Sequence, residues 1–459
     1  MRAKNLLAGL AAVATACGFA QAQAVFPDVI LADITNTQNY GAVGGIRGYA
    51  IGSNTCNIGT ANLAWVNSGS PGLAMNAFRI HDGRMIQLGL GFAKTACCAA
   101  AGSGCQSFGG GPCNGAGGSQ LGAGCLDIYS AGFNGGQSRL APRSTMNGFT
   151  GAFSSFPGTS GDAIFRRVQI PQSDLTAANF PGARYFIEGV YVAQDDAPAG
   201  AGLNNATSKQ VNVDGSFNLT PTGAAFVGKP AIRLWREQGL GVNQPDTSVI
   251  VGTVTVPTEG TFHTAYKVRQ LTPTSWRYDY AVYNLNSDRS GGSFSVPVPP
   301  GTNVTDMGFH APLYHSGEPY SNTPWTMTST SGSVTWSSPQ TFAQNPNSNA
   351  LRWGTMYNFW FTADSGPAAA TSNATLGLFK PGAVTSLTIP VQVPTGPACN
   401  PDLNADGNID QGDIDYIDNV VAGGANPTNI DADFNKDGNA DQADVDAVIG
   451  VVAGEACPS

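Results

Sequence analysis

The chain has 459 residues, 42% of them hydrophobic and only 12% charged, with 59 glycines and 29 prolines. That length exceeds one ordinary core, and the glycine and proline content favours turns and short strands over long helices. The net charge of −9 is concentrated: 13 of the 31 acidic residues lie between Cys399 and Ser459 beside one basic residue, Lys436, so the remainder is nearly neutral and shows no basic patch of the kind that binds nucleic acid.

The N-terminus reads as an export signal. Arg2 and Lys4 precede an apolar run, Leu6 to Ala16, that is too short to span a bilayer. Small-x-small cleavage sites follow at Ala20–Ala22 and Ala22–Ala24. Residues 1–24 are therefore expected to be a secretory signal peptide. Lipid attachment at Cys17 is the alternative, with Ala14 standing where a leucine is usual. No later stretch has the length and apolarity of a membrane span. The expected location is extracellular or at the cell surface.

Without the signal, the cysteines are 56, 97, 98, 105, 113, 125, 399 and 457, an even number that favours disulfides in an exported chain. Cys399 and Cys457 bracket the acidic tail and are expected to pair. The other six cluster in the first third, around the glycine-rich stretch 101–140, and their pairing stays open. Their spacing lacks the C-x2-C knuckles of zinc sites.

Strand-like alternation begins near residue 180. It covers ARYFIEGVYVA (183–193), TSVIVGTVTVP (247–257), WRYDYAVYNLN (276–286), MYNFWFTAD (356–364) and SLTIPVQVP (386–394), with turn residues between them. In the third, Trp276, Tyr278, Tyr280 and Val282 share one face. The predicted fold class is mainly β: a Gly/Cys-rich, β-rich region over 25–245, a β-sandwich-like region over 246–395, and a small α-helical module over 396–459. A weak boundary near 240–247 leaves open whether 25–395 is one domain or two. The proline-rich VPTGPACNP (393–401) reads as a linker to the tail.

The β body offers little chemistry. His310, His315 and Glu318 have a spacing that a metal could use only if a loop gathered them. There is no G-x-S-x-G elbow, and GAAFVGKP (223–230) lacks the Ser or Thr of a phosphate loop. Glu188, Asp195, Asp196, Glu237 and Asp279 could supply a glycosidase pair, and Trp325, Trp336, Trp353 and Trp360 could stack on sugars. Aromatics at strand spacing belong more often to a core. The phrases WRYDYAVYNLNSDRSGGSFSVPVP and NALRWGTMYNF resemble an uncharacterised family of secreted bacterial proteins, which implies export and no particular activity.

The tail is richer. DLNADGNIDQGD (402–413) and DFNKDGNADQAD (433–444) place oxygen ligands at positions 1, 3, 5, 7, 9 and 12 of an EF-hand loop, with glycine at 6. The ligands are Asp402, Asn404, Asp406, Asn408 (backbone carbonyl), Asp410 and Asp413 in the first loop. In the second they are Asp433, Asn435, Asp437, Asn439 (backbone carbonyl), Asp441 and Asp444. Hard oxygen donors at this spacing suit two calcium ions, and carboxylates so close repel unless a cation lies among them. Ile409 and Ala440 hold position 8, where paired loops exchange backbone contacts. A helical pattern follows each loop, through Ile414, Ile417, Val420 and Val421, then Val445, Val448, Ile449 and Val452.

One helix after each loop, and aspartate at position 12, resemble the dockerin family (type I, duplicated EF-hand loop) over about 60 residues. The resemblance implies calcium-coupled folding and docking onto a cohesin-like scaffold or cell-surface component, in a family whose members are often carried by polysaccharide-degrading enzymes. Two departures bear on docking and not on calcium. Positions 10 and 11 are Gln411-Gly412 and Gln442-Ala443, and the usual basic helix residues are replaced by Asp418-Asn419 and Gly450-Val451. The expected function is a secreted calcium-binding protein whose tail attaches or spaces a non-catalytic β body. The alternative is a tethered polysaccharide-binding protein, or an enzyme hydrolysing O-glycosyl bonds.

Overall fold

The computed structural model describes residues 25–66, 71–95, 98–154, 156–396, 400–455 and 458. The expected signal peptide and the Cys399–Cys457 pair lie outside the described residues. Each alternating segment is a strand: Arg184–Val192, Ile250–Thr255, Ser275–Asn284, Thr355–Ala363 and Ser386–Val391. Helices before residue 400 are single turns such as Ala131–Asn134 and Leu234–Glu237. Among the described residues, no helix is long and apolar enough to cross a membrane. The protein is mainly β.

The strands form stacked sheets. A seven-stranded sheet is centred on Gly72–His81 and Arg184–Val192, paired antiparallel from Ile80↔Arg184 to Gly72↔Val192. A five-stranded sheet runs Ile250–Thr255, Thr261–Thr272, Ser275–Asn284, Thr355–Ala363, Val304–His310. A second five-stranded sheet runs Thr326–Ser329, Ser333–Ser337, Gly291–Pro297, Ser372–Leu378, Ser386–Val391. Two three-stranded sheets, built from strands between residues 29 and 171, contribute to the opposite side of the seven-stranded sheet through Val29, Leu31, Tyr49 and Ile170.

Side chains on alternate faces of the inner strands fill different cores, as the period of two requires. From Ser275–Asn284, Tyr278, Tyr280 and Val282 pack with Phe294, Trp336 and Phe359 between the two five-stranded sheets, with Trp276 at the margin. The other face of the same strand sends Ala281 and Tyr283 into a separate core with Phe78, Phe186, Val190 and Trp235. This strand is therefore buried on both faces. That second core draws on both sides of residue 245, so the seven-stranded sheet and its five-stranded neighbour share one apolar interior.

Buried polar groups stitch the same seam. Arg143 is 2% exposed. Its Nε donates to Gly91 O (2.8 Å), Nη1 to Gly354 O (2.9 Å), and Nη2 to Met75 O (3.0 Å) and Asn76 Oδ1 (2.7 Å). Glu188, fully buried, accepts from Asn76 Nδ2 (2.8 Å), Tyr283 Oη (2.7 Å) and the Ala231 amide (2.6 Å). Arg143 and Glu188 thus each find several partners inside the seam.

The glycine-rich stretch is held by Cys56–Cys105 and Cys113–Cys125, which are 49 and 12 residues apart in sequence. Cys98 is disulfide-bonded as well. At the C-terminal end the chain stays tied to the body through Thr395, whose amide donates to Gly366 O at 2.8 Å. The two longest helices, Gln411–Val421 and Gln442–Val452, pack through Ile417, Val445 and Val448 with Leu403. Ile449, expected on the apolar face, is 44% exposed, while Asp413 and Asp444 are fully buried.

Candidate calcium-binding loops

The two acidic repeats adopt nearly the same hydrogen-bond pattern. In the first, Asp402 accepts from the amides of Asp406 (3.1 Å) and Gly407 (3.0 Å), Asn404 Oδ1 from Asp406 (2.9 Å), and Asp406 Oδ1 from Asn408 (2.8 Å). In the second, Asp433 accepts from Gly438 (3.0 Å), Asn435 from Asp437 (2.9 Å) and Asp437 from Asn439 (2.9 Å). Position 6 turns the chain sharply: Gly407 has φ +91° and Gly438 φ +98°, a conformation that penalises any side chain. Backbone amides of Asn408 and Asn439 hold the Asp406 and Asp437 carboxyls below the usual carboxylate range.

Position 12 closes each loop onto its helix. Asp410 caps the first helix by accepting from the Gly412 amide (2.8 Å), and Asp413 reaches back to the Asp410 amide (3.0 Å), a reciprocal capping box. The other Asp413 oxygen accepts from Leu403 (2.6 Å) and Asn404 (3.1 Å). Asp441 and Asp444 repeat this, with Asp444 accepting from Asn435 (2.9 Å) and Asp441 (2.8 Å). One aspartate thus ties loop start, loop end and helix together.

The donor set can be tested for fit to a hard cation. Among the described residues, no three His, Cys, Asp or Glu side chains gather at metal-holding separations. The expected ligands, however, include Asn404, Asn435 and two backbone carbonyls, and the aspartates spend lone pairs on loop amides while keeping others, since a carboxylate has about four acceptor sites. Asp433 Oδ1 is buried without a hydrogen-bond partner. An anionic oxygen in that state is costly, and a cation would satisfy it. The residues therefore fit calcium: the two sets of six named above would hold it, and its charge would offset their mutual repulsion. Position 8 departs from expectation. Ile409 is 54% exposed and no β-bridge joins it to Ala440 among the described bridges. The repeats meet through their helices instead.

In the body, the candidate groups are dispersed. His310 Nε2 lies 2.9 Å from Gln87 O, and His315 Nε2 2.6 Å from Leu90 O. Glu318 accepts from the amides of Arg143 (3.1 Å) and Ser144 (2.6 Å). The three side chains are thus anchored separately. Among the carboxylates, Glu188 sits in the buried seam, Asp279 pairs with Arg84 and Arg269, Glu237 with Lys229, and Asp196 accepts from the Val29 amide (3.1 Å). Asp195 accepts from the Ala64 amide (3.0 Å). Trp325, Trp336 and Trp353 are core residues, at most 3% exposed. Trp360 alone of the four reaches a surface cleft.

That cleft escaped the sequence reading. It is lined by Arg79 and Arg84 from one hairpin and Arg269 and Arg277 from another, far apart in sequence. The available signal was the Arg269↔Arg277 pairing across a hairpin, where two like charges face each other and need a counter-charge.

No family model matches the chain, and no curated protein matches it. Among solved structures, the manganese lipoxygenase of Gaeumannomyces graminis with partial zonadhesin of Komagataella pastoris aligns at 9% identity over 78% of this chain and 93% of that one, with a TM-score of 0.17. The exo-beta-D-glucosaminidase CsxA aligns at 9% identity over 74% of this chain and 25% of that one, with a TM-score of 0.13. At such scores neither carries an argument about fold or function.

Proposed function

We propose that the protein is a secreted calcium-binding protein in which a dockerin-like tail, holding two calcium ions, attaches or spaces a non-catalytic β body at the cell surface or in the extracellular matrix. The observation that carries this reading is the duplicated loop. Two copies of one ligand pattern share one hydrogen-bonded turn, one glycine at positive φ and one buried closing aspartate. A solvated acidic spacer has no need of any of these. The non-catalytic reading of the body is supported by the engagement of each candidate carboxylate in its own local bonds. The disulfides support export.

The test is calorimetric titration of calcium into the chelator-stripped full chain, with circular dichroism alongside. Two binding events are expected, with a gain of helix. Asp402→Ala with Asp433→Ala should abolish both while leaving the β signal, because loop metal binding and loop folding are coupled. Absence of binding at millimolar calcium would reduce the tail to an acidic spacer. A cohesin-like scaffold is the partner to try next.

A further inference from the structure

We infer that the arginine-lined cleft between the hairpin Gly72–His81/Arg84–Leu90 and the hairpin Thr261–Thr272/Ser275–Asn284 is a binding site for an oxyanion-bearing ligand. The group it takes is a carboxylate, sulfate or phosphate, held by Arg84 and Arg277. This rests on the β body alone and is independent of the calcium loops.

The centre of the cleft is a layered stack. The Trp360 indole lies flat on the backbone of Gly308, its cross-strand partner: a Cβ built on Gly308 would stand 2.0 Å from the ring. The Arg84 guanidinium covers the Trp360 ring, 4.1 Å from its centroid. Arg84 is then fixed edgewise by Asp279, whose side chain is 1% exposed and which accepts from Arg84 Nε at 2.8 Å and also from Arg84 Nη2. The second Asp279 oxygen accepts from Arg269 Nη2 at 3.2 Å. A planar guanidinium has five N–H donors, and Asp279 uses two from Arg84. Arg84 Nη1 has no protein acceptor among the described residues, so its donors stay available in a fixed plane.

The walls follow the same plan. Arg79 lies 3.3 Å over the Phe180 ring and donates through Nη1 to Asp174 at 2.9 Å, which leaves its other terminal nitrogen uncommitted. Arg277 stands at the rim and pairs with Asp306, whose side chain is 60% exposed. Four arginines thus line a cleft of about 410 Å³ against two lining aspartates, Asp82 and Asp306, both at the exposed rim. Asp279 and Asp174 orient arginines from behind. A general electrostatic patch does not need such geometry. A bidentate acceptor does, because parallel N–H groups held in one plane match the two oxygens of a carboxylate or phosphate. The size suits one sugar acid of an acidic polysaccharide, or a free inorganic oxyanion.

The experiment titrates the calcium-loaded full chain, at constant ionic strength, with trigalacturonate, inorganic phosphate and sulfate, using neutral cellotriose as control. Arg84→Gln would strip a buried carboxylate of a partner and risks the fold, so two rim variants carry the test. Arg277→Gln should weaken anion binding about 10-fold. Asp306→Asn, which frees Arg277, should tighten it about 3-fold. Trigalacturonate bound well above the inorganic ions assigns the saccharide source, and equal binding assigns a free oxyanion. Three results would overturn the site: no anion binding at about 10 mM, cellotriose binding as well as the anions, or affinities indifferent to both substitutions.

Discussion

His263 shows how one buried side chain sets a pH response. Its Nδ1 lies 3.1 Å from Thr253 Oγ1, and its Nε2 is buried without a partner. Burial, with Arg233 nearby, pushes its pKa down to about 3. Between about 6.5 and about 3 the unfolded chain therefore binds a proton that the folded chain refuses. The resulting stability is fully present above pH 6.5 and is lost as pH falls toward 3. By pH 5 the loss from His263 should be about 2 kcal/mol. Asp196 works the other way, because burial raises its carboxyl from 3.8 to about 7 and the folded state then holds the extra proton. The useful measurement is therefore a difference: denaturant melts of the parent and His263→Gln at pH 7.5 and 5. The variant should lose about 2 kcal/mol less on acidification, and equal losses would sink the idea. None of this was legible in the sequence, where His310 and His315 stood out by spacing and His263 did not. Burial of a polar ring depends on a neighbouring sheet that local pattern cannot show. The hydrogen-bonded turns of the two acidic repeats were legible for the opposite reason, since their side-chain acceptors and glycines lie within twelve-residue windows.

At the scale of elements, the apolar side of Thr355–Ala363 carries Tyr357, Phe359 and Phe361, all fully buried. The opposite side proved as informative. Asn358 donates to Met85 O at 2.8 Å and Trp360 forms the stack with Arg84. Polar and aromatic residues on the second face signal another layer, yet in sequence they look like a solvated surface. The same ambiguity hid the double burial of Ser275–Asn284. Gly308 gives this a test. Its methyl-free backbone is what lets Trp360 lie flat, so Gly308→Ala should destabilise the protein by about 1–3 kcal/mol in urea unfolding. Trp360→Leu made in the same chain should recover much of that loss, because the clash is specific to the ring. Additive losses in the double variant would show that the pair does not interact as described.

At the scale of the molecule, the mainly β class was readable from turn density and strand alternation, whereas the order of layers was not. The weak break near 240–247 coincides with a covalent crossing between sheets that nonetheless share a core. Linker-like composition reports local exposure, not whether the flanking segments bury each other. Arg143 is the decisive residue, because it joins carbonyls from the first half, Gly91 and Met75, to Gly354 of the second. Arg143→Met would leave Gly91 O and Asn76 Oδ1 without their donor inside the seam, while Met75 O keeps the Gly91 amide and Gly354 O keeps Asn76 Nδ2, at a cost of about 3–5 kcal/mol. A shared interior makes that cost common to both sheets. Calorimetric melting of the calcium-loaded chain should therefore show one transition for the body, moved as a unit by Arg143→Met. Calcium removal should change only the tail's contribution. If the substitution instead resolved the body into two transitions, the seam would be a contact between independent units, and residue 245 would mark a true boundary.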